Sequence, residues 1–333
     1  MNIRLCCLLG ILLAPLRLAA QEYASSFNTL SLPTSAHISA LGGNNVTTIE
    51  DTPEIGWQNP ALYANTSDKS LSLNFMSYLS GTSWMGAHFV KAVGERHTVA
   101  VGAQYMNYGK MDETDDMGNV VGSFTAKDFV IGGGYSYLLS DRWTGGANAK
   151  FVVSNIADRS SIAMAFDVGV NYYNDETDLS LSATLQNFGL QLKTYEDATR
   201  AHLPFSLTLG LSKGMEHLPV RFHLTLSDLN HWKSSYYILP EDKDQDKDNK
   251  VSFTKIALNH LTIGLDILPT DNFYIALGYN FRRAYELKAS GSSHLAGLSV
   301  GGGIHVKRFQ MGISYARYHQ AGNSIMANVG FQL

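Results

Sequence analysis

Two stretches of the chain place a serine between two glycines, in the spacing that surrounds the nucleophile of many hydrolases. They are residues 210–214, with Ser212 in the centre, and residues 297–301, with Ser299 in the centre. The chemistry needs a strained turn between a strand and a helix, with a histidine and an acid nearby. Both matches lie on alternating runs that predict strands, and no helical run follows. We therefore expect both serines to face the inside of a barrel, and we predict no catalytic residue.

Other short motifs are incomplete as well. Ser252 and Lys255 have the Ser-x-x-Lys spacing of penicillin-binding enzymes, but the Ser-Asp-Asn and Lys-Thr-Gly elements that complete that site are missing. The glycine triplets 132–134 and 301–303 lack the strand-to-helix context of a phosphate cradle. In strands, glycine more often marks a bend or the close approach of another backbone. We expect the triplets to lie against a segment inside the fold.

The acidic run 242–249 is the remaining candidate for a metal site. Asp244, Asp246 and Asp248 alternate as the first ligands of a calcium loop do, because a hard cation needs clustered oxygens. The acid that closes such a loop is absent, since Lys255 stands at that position. Two interpretations stay open: a weak calcium site, or a solvated loop ordered by a partner. We predict no other cofactor or metal.

These candidates sit in a chain dominated by a two-residue alternation. Large apolar residues alternate with small or polar ones over 179–186, 205–212, 220–227 and 273–282. Successive side chains of a strand point to opposite faces, so each run has one apolar face and one polar face. The pattern predicts an all-β architecture.

The composition indicates what surrounds the apolar faces. Charged residues make up 16% of the 333 residues, against roughly 25% in ordinary soluble proteins. The opposite faces carry mainly small and neutral polar residues, which suit a filled barrel interior better than bulk water. The chain has 17 Tyr, 15 Phe and 4 Trp, many near predicted strand ends, as the aromatic girdles of outer-membrane barrels require. We predict a transmembrane β-barrel and keep a soluble barrel as the alternative.

The amino terminus predicts export. Arg4 precedes an apolar run from Leu5 to Leu16 that is too short to span a bilayer, and small residues end it before Gln21. We interpret residues 1–20 as a signal peptide, which contains both cysteines of the chain. Disulfides and thiol chemistry are therefore not expected in the mature protein. The net charge of −4 and the absence of a basic stripe argue against a nucleic-acid partner.

The alternating runs predict about fourteen antiparallel strands over residues 69–333, each long enough for a tilted barrel strand. The predicted strands are 69–79, 83–93, 96–108, 124–139, 141–154, 159–173, 177–191, 203–213, 218–229, 256–268, 271–284, 294–307, 308–319 and 322–333. Long connections, at 109–123, 192–202, 230–255 and 285–293, alternate with tight ones. Outer-membrane barrels have short periplasmic turns and longer outer loops, so we expect these four to face outward.

Residues 21–68 do not alternate. They contain turn and breaker signals that include Gly42-Gly43 and Asn59-Pro60. A barrel of about fourteen strands is too wide for its own side chains to fill. We therefore predict that residues 21–68 form a plug inside the barrel, with Gly42, Gly43, Asn59 and Pro60 as its motif residues.

Several segments resemble known outer-membrane proteins. In the plug, the similarity to the amino-terminal hatch of FadL-type proteins rests on Phe27, Leu30, Leu32-Pro33, Ser35-Ala36, residues 40–43, Val46 and Asn59-Pro60-Ala61. Further segments are similar to the narrower PorV/PorQ family of the type IX secretion system of Bacteroidota. They are Tyr108-Gly109-Lys110 with Asp112-Glu113, Gln186-Asn187 through Lys193-Thr194-Tyr195, Leu203-Pro204-Phe205, and Arg221-Phe222 through Trp232. The resemblance covers essentially the whole chain after residue 20.

This resemblance implies a non-enzymatic protein of the outer membrane. It implies that such a barrel holds the surface protein PorZ, which joins PorU and PorV in an attachment complex that links cargo to lipopolysaccharide. The sortase-like chemistry belongs to PorU. The implied partners are therefore PorZ, PorU, PorV and outer-membrane lipid, and the polar loops 230–255 and 109–123 are the predicted docking surface.

Two other functions stay open. One is a FadL-like transporter that passes hydrophobic small molecules through a lateral opening, which requires a strand kink beside an apolar pocket above the plug. The other is a PorV-like carrier of cargo signal domains. One departure from the usual pattern is the carboxyl terminus, which ends in Phe331-Gln332-Leu333, where many outer-membrane barrels end in an aromatic residue.

Overall fold

The computed structural model describes residues 27–195, 200–233, 252–270, 272–286, 296–319 and 322–333. These residues form a closed barrel in which each strand pairs antiparallel with its sequence neighbours, and the first strand pairs with the last. The strands are β1 (Ser70–Ser77), β2 (Ser83–Val93), β3 (His97–Thr114), β4 (Val120–Ser140), β5 (Trp143–Ile156), β6 (Arg159–Asn174), β7 (Leu179–Lys193), β8 (Ser206–Met215), β9 (Leu218–Leu226), β10 (Leu261–Thr270), β11 (Phe273–Asn280), β12 (Leu298–Val306), β13 (Phe309–His319) and β14 (Gly322–Gln332). The predicted fold class, a 14-stranded antiparallel barrel, is confirmed.

The alternation has the predicted orientation. In β1, Leu73 and Phe75 are 49% and 46% exposed, whereas Ser72 and Asn74 between them are buried. The same polarity recurs around the barrel, because buried strand positions are largely Ser, Thr and Asn and exposed ones largely Leu, Val, Ile and Phe. The apolar faces therefore point outward and the polar faces line the interior, as a hydrocarbon surrounding requires.

The long connections 194–205, 227–260 and 281–297 all leave the barrel at the same end, here called the long-loop end. None of the helices in the described part of the chain has the length and apolar character needed to cross a bilayer. The predicted signal peptide, residues 1–20, lies outside the described residues.

Three predicted boundaries are wrong. Most of the predicted loop 109–123 is strand, because β3 runs to Thr114 and β4 begins at Val120. The Asp115 carboxylate accepts backbone N–H groups of Met117 and Asn119, at 2.9 and 2.8 Å, which forms a tight turn and lets the ladder continue.

Two helices replace predicted strand ends at the long-loop end. Residues predicted as the start of a strand at 256 belong to α2 (Phe253–Asn259), and β11 ends in α3 (Phe281–Glu286) instead of continuing to 284. Within α3, Arg282 Nε donates to Glu286 Oε1 at 3.0 Å, the i,i+4 spacing that supports a helical turn and that a strand cannot provide.

The segment that precedes β1 is irregular. It contains the short α-helix α1 (Ala36–Ala40) and 3-10 helices at Asn28–Ser31, Pro53–Trp57 and Pro60–Asn65. Ser35 caps α1 by accepting the backbone N–H of His37, and prolines begin two of the 3-10 turns. Most of its residues are buried inside the barrel. We refer to residues 27–68 as the plug.

Candidate functional site: the plug, its cavities and the strand seam

The glycine pair of the plug lies against β10 and β11. Gly42 and Gly43 have φ angles of +100° and +83°, which a residue with a side chain rarely adopts. On the facing strand, a Cβ atom at Gly278 would lie 2.2 Å from the backbone nitrogen of Gly42. The two backbones therefore approach this closely because Gly278 lacks a side chain, and a Cβ atom at Gly42 would lie 2.3 Å from Thr262 Cγ2.

The second plug motif lies against β5, β6 and β7. Asn59 donates through Nδ2 to the Ser182 hydroxyl at 3.1 Å, and its Oδ1 caps the 3-10 turn that Pro60 begins. A Cβ atom at Gly169 would lie 2.2 Å from Asn59 Oδ1, and one at Gly146 would lie 2.4 Å from the carbonyl carbon of Pro60. The structure thus places the four predicted motif residues against two different parts of the barrel wall.

The predicted role of the strand glycine triplets is confirmed in the same way. A Cβ atom at Gly134 would lie 2.3 Å from the Tyr63 ring, and one at Gly301 would lie 2.7 Å from Ala40 Cβ. Both Tyr63 and Ala40 belong to the plug and are buried.

A chain of buried ionisable groups joins the plug to β9 and β10. His37 of α1 places Nε2 2.9 Å from Asp266 Oδ1 and Nδ1 3.3 Å from Glu50 Oε2. The other Asp266 oxygen lies 2.8 Å from His223 Nε2. Burial lowers the pKa of His37, but the carboxylates of Asp266 and Glu50 outweigh it and raise that pKa to about 10. His37 is therefore an imidazolium ion at neutral pH.

The amino-acid sequence does not indicate that these groups meet. The residues come from the plug and from strands β9 and β10, so their proximity depends on barrel closure. The single signal in the sequence was the position of His223 and Asp266 on the inward faces of neighbouring predicted strands.

The same chain includes one of the two serines singled out by spacing. Ser212 on β8 lies opposite His223 on β9 and its Oγ is 2.6 Å from His223 Nδ1, so Ser212, His223 and Asp266 form a continuous contact series. The order resembles a hydrolase triad, yet Ser212 sits on a regular strand, is buried, and its hydroxyl also contacts the Thr47 hydroxyl of the plug. We assign these contacts to plug attachment.

The second serine singled out by its spacing also contacts the plug. Ser299 is buried and donates its hydroxyl proton to the carbonyl oxygen of Ala40 at 2.7 Å. Both serines face the interior, as predicted. Ser252 precedes α2, and the Lys255 ammonium lies 5.5 Å from the centre of the Tyr285 ring.

The strand ladder is interrupted between β7 and β8. The two strands pair from Leu179 and Lys213 to Gln186 and Ser206, but β7 continues to Lys193, where its ladder partner among the described residues is β6 alone. Residues 200–205, which precede β8, form no regular element. We call this boundary the seam.

Side chains close the seam in place of a backbone ladder. The rings of Phe188 and Phe205 meet edge to face, with centroids 6.0 Å apart. Asn187 Nδ2 donates to the Pro204 carbonyl oxygen at 3.2 Å. Such contacts can separate without breaking a strand pair.

A bulge marks the foot of the seam. Asn187 has a φ of +56°, and the pairing of β6 with β7 shifts between Phe166 and Val168. Asp167, at the shift, accepts the Asn187 backbone N–H at 2.8 Å and lies 2.6 Å from the buried Lys150 ammonium. The ion-paired carboxylate of Asp167 thus accepts the Asn187 backbone N–H at the point where the strand pairing is interrupted.

Behind the seam lies one of the apolar clusters of the barrel interior. Its members come from the plug, from β4, β5 and β6, and from the connection before β8. They are Phe27, Leu30, Trp57, Val130, Val152, Ala163, Ala165 and Leu203. A bulge in the strand pairing and an apolar cluster therefore lie close together, and plug side chains fill part of the cluster.

Two cavities flank the plug. The one at the long-loop end has a volume of about 410 Å³ and is lined by charged groups that include Lys150, Asp228 and Arg282. The cavity at the opposite end has about 340 Å³ and reaches His37 and Glu50. The cavity above the plug is thus more polar than a lateral route for hydrophobic molecules predicts.

The acidic candidates Asp244, Asp246 and Asp248, and most of the predicted docking loop 230–255, lie outside the described residues. Within the part of the chain that the structure describes, no group of three or more His, Cys, Asp or Glu side chains is arranged to hold a metal ion. The calcium site stays a prediction.

No family model and no curated protein matches the chain. Solved structures match it over nearly its whole length. The toluene transporter TbuX of Ralstonia pickettii has a TM-score of 0.57 at 13% identity, covering 90% of this chain and 97% of TbuX. The toluene transporter TodX of Pseudomonas putida has a TM-score of 0.56 at 12% identity, covering 90% and 98%.

A FadL homologue of Pseudomonas aeruginosa has a TM-score of 0.57 at 10% identity, covering 90% of this chain and 98% of the homologue. At these identities the likeness concerns the fold. The chain has the fold of FadL-like outer-membrane transporters, which agrees with the FadL part of the sequence resemblance.

Proposed function

We propose that this chain is a non-enzymatic barrel of a Gram-negative outer membrane that passes small hydrophobic molecules sideways through the seam. The observation that carries the proposal is the end of the β7–β8 ladder at Gln186 and Ser206, directly beside the apolar cluster. A molecule in this cluster needs to displace only side-chain contacts to reach the surrounding hydrocarbon.

Two further observations support this function. The fold is similar to that of toluene transporters, and the outward faces of the strands are apolar. In the proposed orientation the long-loop end faces outward, because long loops of outer-membrane barrels do so.

The proposed route requires movement of the first plug residues. Phe27 and Leu30 fill the apolar cluster, and the Leu30 carbonyl oxygen accepts Asn187 Nδ2 at 3.5 Å. A hydrophobic molecule would replace these side chains at little cost, since apolar contacts are exchanged for apolar contacts. We infer that their displacement and the opening of the Phe188–Phe205 contact occur together.

A reversible cross-link across the seam tests this function. We expect a Phe188→Cys, Phe205→Cys variant, joined by a short bifunctional thiol reagent, to lose uptake of radiolabelled toluene in a Gram-negative host. A reducing agent that cleaves the link should restore uptake to the level of the unmodified protein. The predicted mature chain has no cysteine of its own that the reagent would join.

The matched control is Leu181→Cys, Leu211→Cys, which links the same two strands where their ladder is intact. This link should leave uptake unchanged. Equal loss of uptake in both variants, or full uptake through a linked seam, would contradict the lateral route.

The second candidate is a PorQ-like role in type IX secretion, in which the barrel anchors PorZ in the complex with PorU and PorV. It is favoured by the sequence segments that resemble the PorV/PorQ family and by the charged cavity at the long-loop end, which suits a hydrophobic cargo poorly. Recovery of PorZ with the detergent-solubilised barrel would support this candidate. Recovery of cargo without PorZ would instead support a PorV-like carrier.

Deletion of residues 240–250 tests the docking loop of this second candidate. The deletion should reduce the amount of PorZ at the cell surface, and PorZ in full amount would contradict the assignment.

Titration of the purified chain with calcium, compared with an Asp244→Asn, Asp246→Asn, Asp248→Asn variant, tests whether the acidic run 242–249 binds the ion.

A further inference from the structure

We propose that the outer part of the β3–β4 hairpin is a docking arm to which a separate protein adds a β-strand rich in Lys or Arg. We call residues 108–125 the arm. The inference goes beyond transport, which needs no such arm, and it does not depend on the seam.

The arm stands free of the barrel wall. Pairing of β3 with β2 ends at Asn107 and Ser83, and pairing of β4 with β5 ends at Ala126 and Ile156. β3 and β4 nevertheless stay paired with each other up to Thr114 and Val120. Among the described residues, neither outer edge of this two-stranded ribbon therefore has a neighbouring strand.

The backbone groups of these edges have few partners. In the described residues, the one ladder-like bond from outside the arm is the Ala157 N–H donated to the Thr125 carbonyl oxygen at 3.0 Å. Edges of this kind are templates for an added strand, and proteins usually cover or interrupt them.

The arm is already shaped for binding. The Asp115 carboxylate accepts two backbone N–H groups and Asn119 Nδ2, the last at 3.0 Å, which fixes the turn. At the base, the Tyr108 hydroxyl donates to Asp128 Oδ2 at 2.7 Å and ties the arm to the barrel interior. A partner would therefore not have to supply the free energy needed to order the arm.

The tip exposes apolar side chains to water. Met117 is 88% exposed, and Val120 and Val121 are each 63% exposed. They lie beyond the last pairing of β4 with β5, so they extend past the apolar band of the barrel wall. A strand added along β4 would cover these valines.

Charge identifies the class of partner. The arm carries Asp112, Glu113, Asp115 and Asp116 against Lys110, a net charge of −3. A second copy of this chain would bring the same negative charge, and a membrane surface rich in phosphate would also be repelled. A protein strand with exposed Lys or Arg side chains is attracted, and its backbone can continue the ladder.

Two synthetic peptides test the proposal on the purified full chain in detergent. One alternates valine with lysine and the other alternates valine with glutamate, at equal length. By fluorescence anisotropy we expect the lysine peptide to bind about tenfold more tightly or better. Asp112→Lys, Glu113→Lys should remove that preference, and Val121→Pro should weaken binding because proline removes an edge N–H and blocks strand pairing.

The matched control is Glu95→Lys, Asp141→Lys, which makes the same change in charge in tight turns at the opposite end of the barrel. It should bind the lysine peptide as the unmodified chain does. Heat-modifiable migration on gels verifies that each variant folds. Equal affinity for both peptides, or unchanged binding by Val121→Pro, would overturn strand addition. Dimerisation of the chain that Val121→Pro abolishes would overturn the assigned partner.

Discussion

Two of the walls that the plug meets inside the barrel differ in the kind of contact they make. Towards β8, β9 and β10 it is held by buried charges, with His37 between Glu50 and Asp266. Towards β4, β5, β6 and β7 it is held by the apolar cluster and by neutral hydrogen bonds, such as the 2.7 Å bond from Gln186 Nε2 to the Gln58 carbonyl oxygen. The buried ion pair of this wall, Lys150 with Asp167, joins two strands, and the Lys150 ammonium contacts the plug over the neutral Trp57 ring, 5.3 Å from its centre. We call these two walls the charged wall and the neutral wall.

This difference indicates which wall anchors the plug and at which wall part of the plug can move. Removing one member of a buried ion pair leaves an uncompensated charge, so the charged wall resists separation strongly. Apolar contacts are non-directional and can be replaced by other apolar groups. The neutral wall also carries the seam. We infer that the plug stays anchored at the charged wall while its first residues move at the neutral wall.

Asp266→Ala should have the largest effect, because it leaves His37 buried without its main counter-ion. We expect a loss of about 3–5 kcal/mol in the free energy of unfolding and the appearance of ion conductance in planar bilayers as the plug detaches. The exposed turn variant Asp141→Ala serves as control and should change neither. An Asp266→Ala protein that shows no ion conductance and keeps its full free energy of unfolding would show that the charged wall does not anchor the plug.

Trp57→Ala breaks the neutral wall instead. Trp57 is buried in the apolar cluster, so truncation should cost about 3 kcal/mol in urea unfolding followed by circular dichroism. Bilayers containing this variant should stay without steady conductance, because the charged wall still holds the plug. Trp143→Ala, at an outward position that is 48% exposed, is the matched control. Conductance equal to that of Asp266→Ala would remove the distinction between the walls.

Raising the pH should weaken the charged wall alone. The stabilisation that comes from the raised pKa of His37 is complete below about pH 6.5 and is lost as the pH rises towards about 10. The carboxylates of Asp266 and Glu50 keep the imidazolium ion paired until then, while His223 contacts Asp266 and Tyr274 stacks on the His37 ring. Conductance should therefore increase between about pH 7 and about pH 10.5, and Trp57→Ala should show the same midpoint. A conductance that does not change with pH would contradict the role of His37.

Ser212→Ala should have the smallest effect. It removes a hydroxyl that contacts His223 and Thr47, which costs about 1 kcal/mol in unfolding free energy. If Ser212 only attaches the plug, hydrolysis of short nitrophenyl esters by the purified chain should equal that of the unmodified protein. A loss of hydrolysis specific to Ser212→Ala would instead assign a nucleophile.

Much of the barrel was predictable because its signal is local. Alternation in 179–186 or 220–227 depends only on neighbouring residues, and it gave the strand count and the outward apolar face. The arm was not predicted because its polar residues are typical of a loop. In the structure, the tight turn formed by Asp115 lets β3 and β4 stay paired along these residues. The helix α2 was missed because Ile256 and its neighbours also fit the beginning of a strand.

Local sequence pattern is enough to show that the strands are amphipathic, that the segment before β1 is irregular, and that glycines stand where strands and plug touch. These are properties of neighbouring residues and of side-chain size. Which distant groups meet depends instead on how the chain folds. Asp266 acquires two histidine partners, and β7 loses its neighbour above Gln186, through the closure and register of the barrel, and long-range register is not encoded in any short stretch of residues.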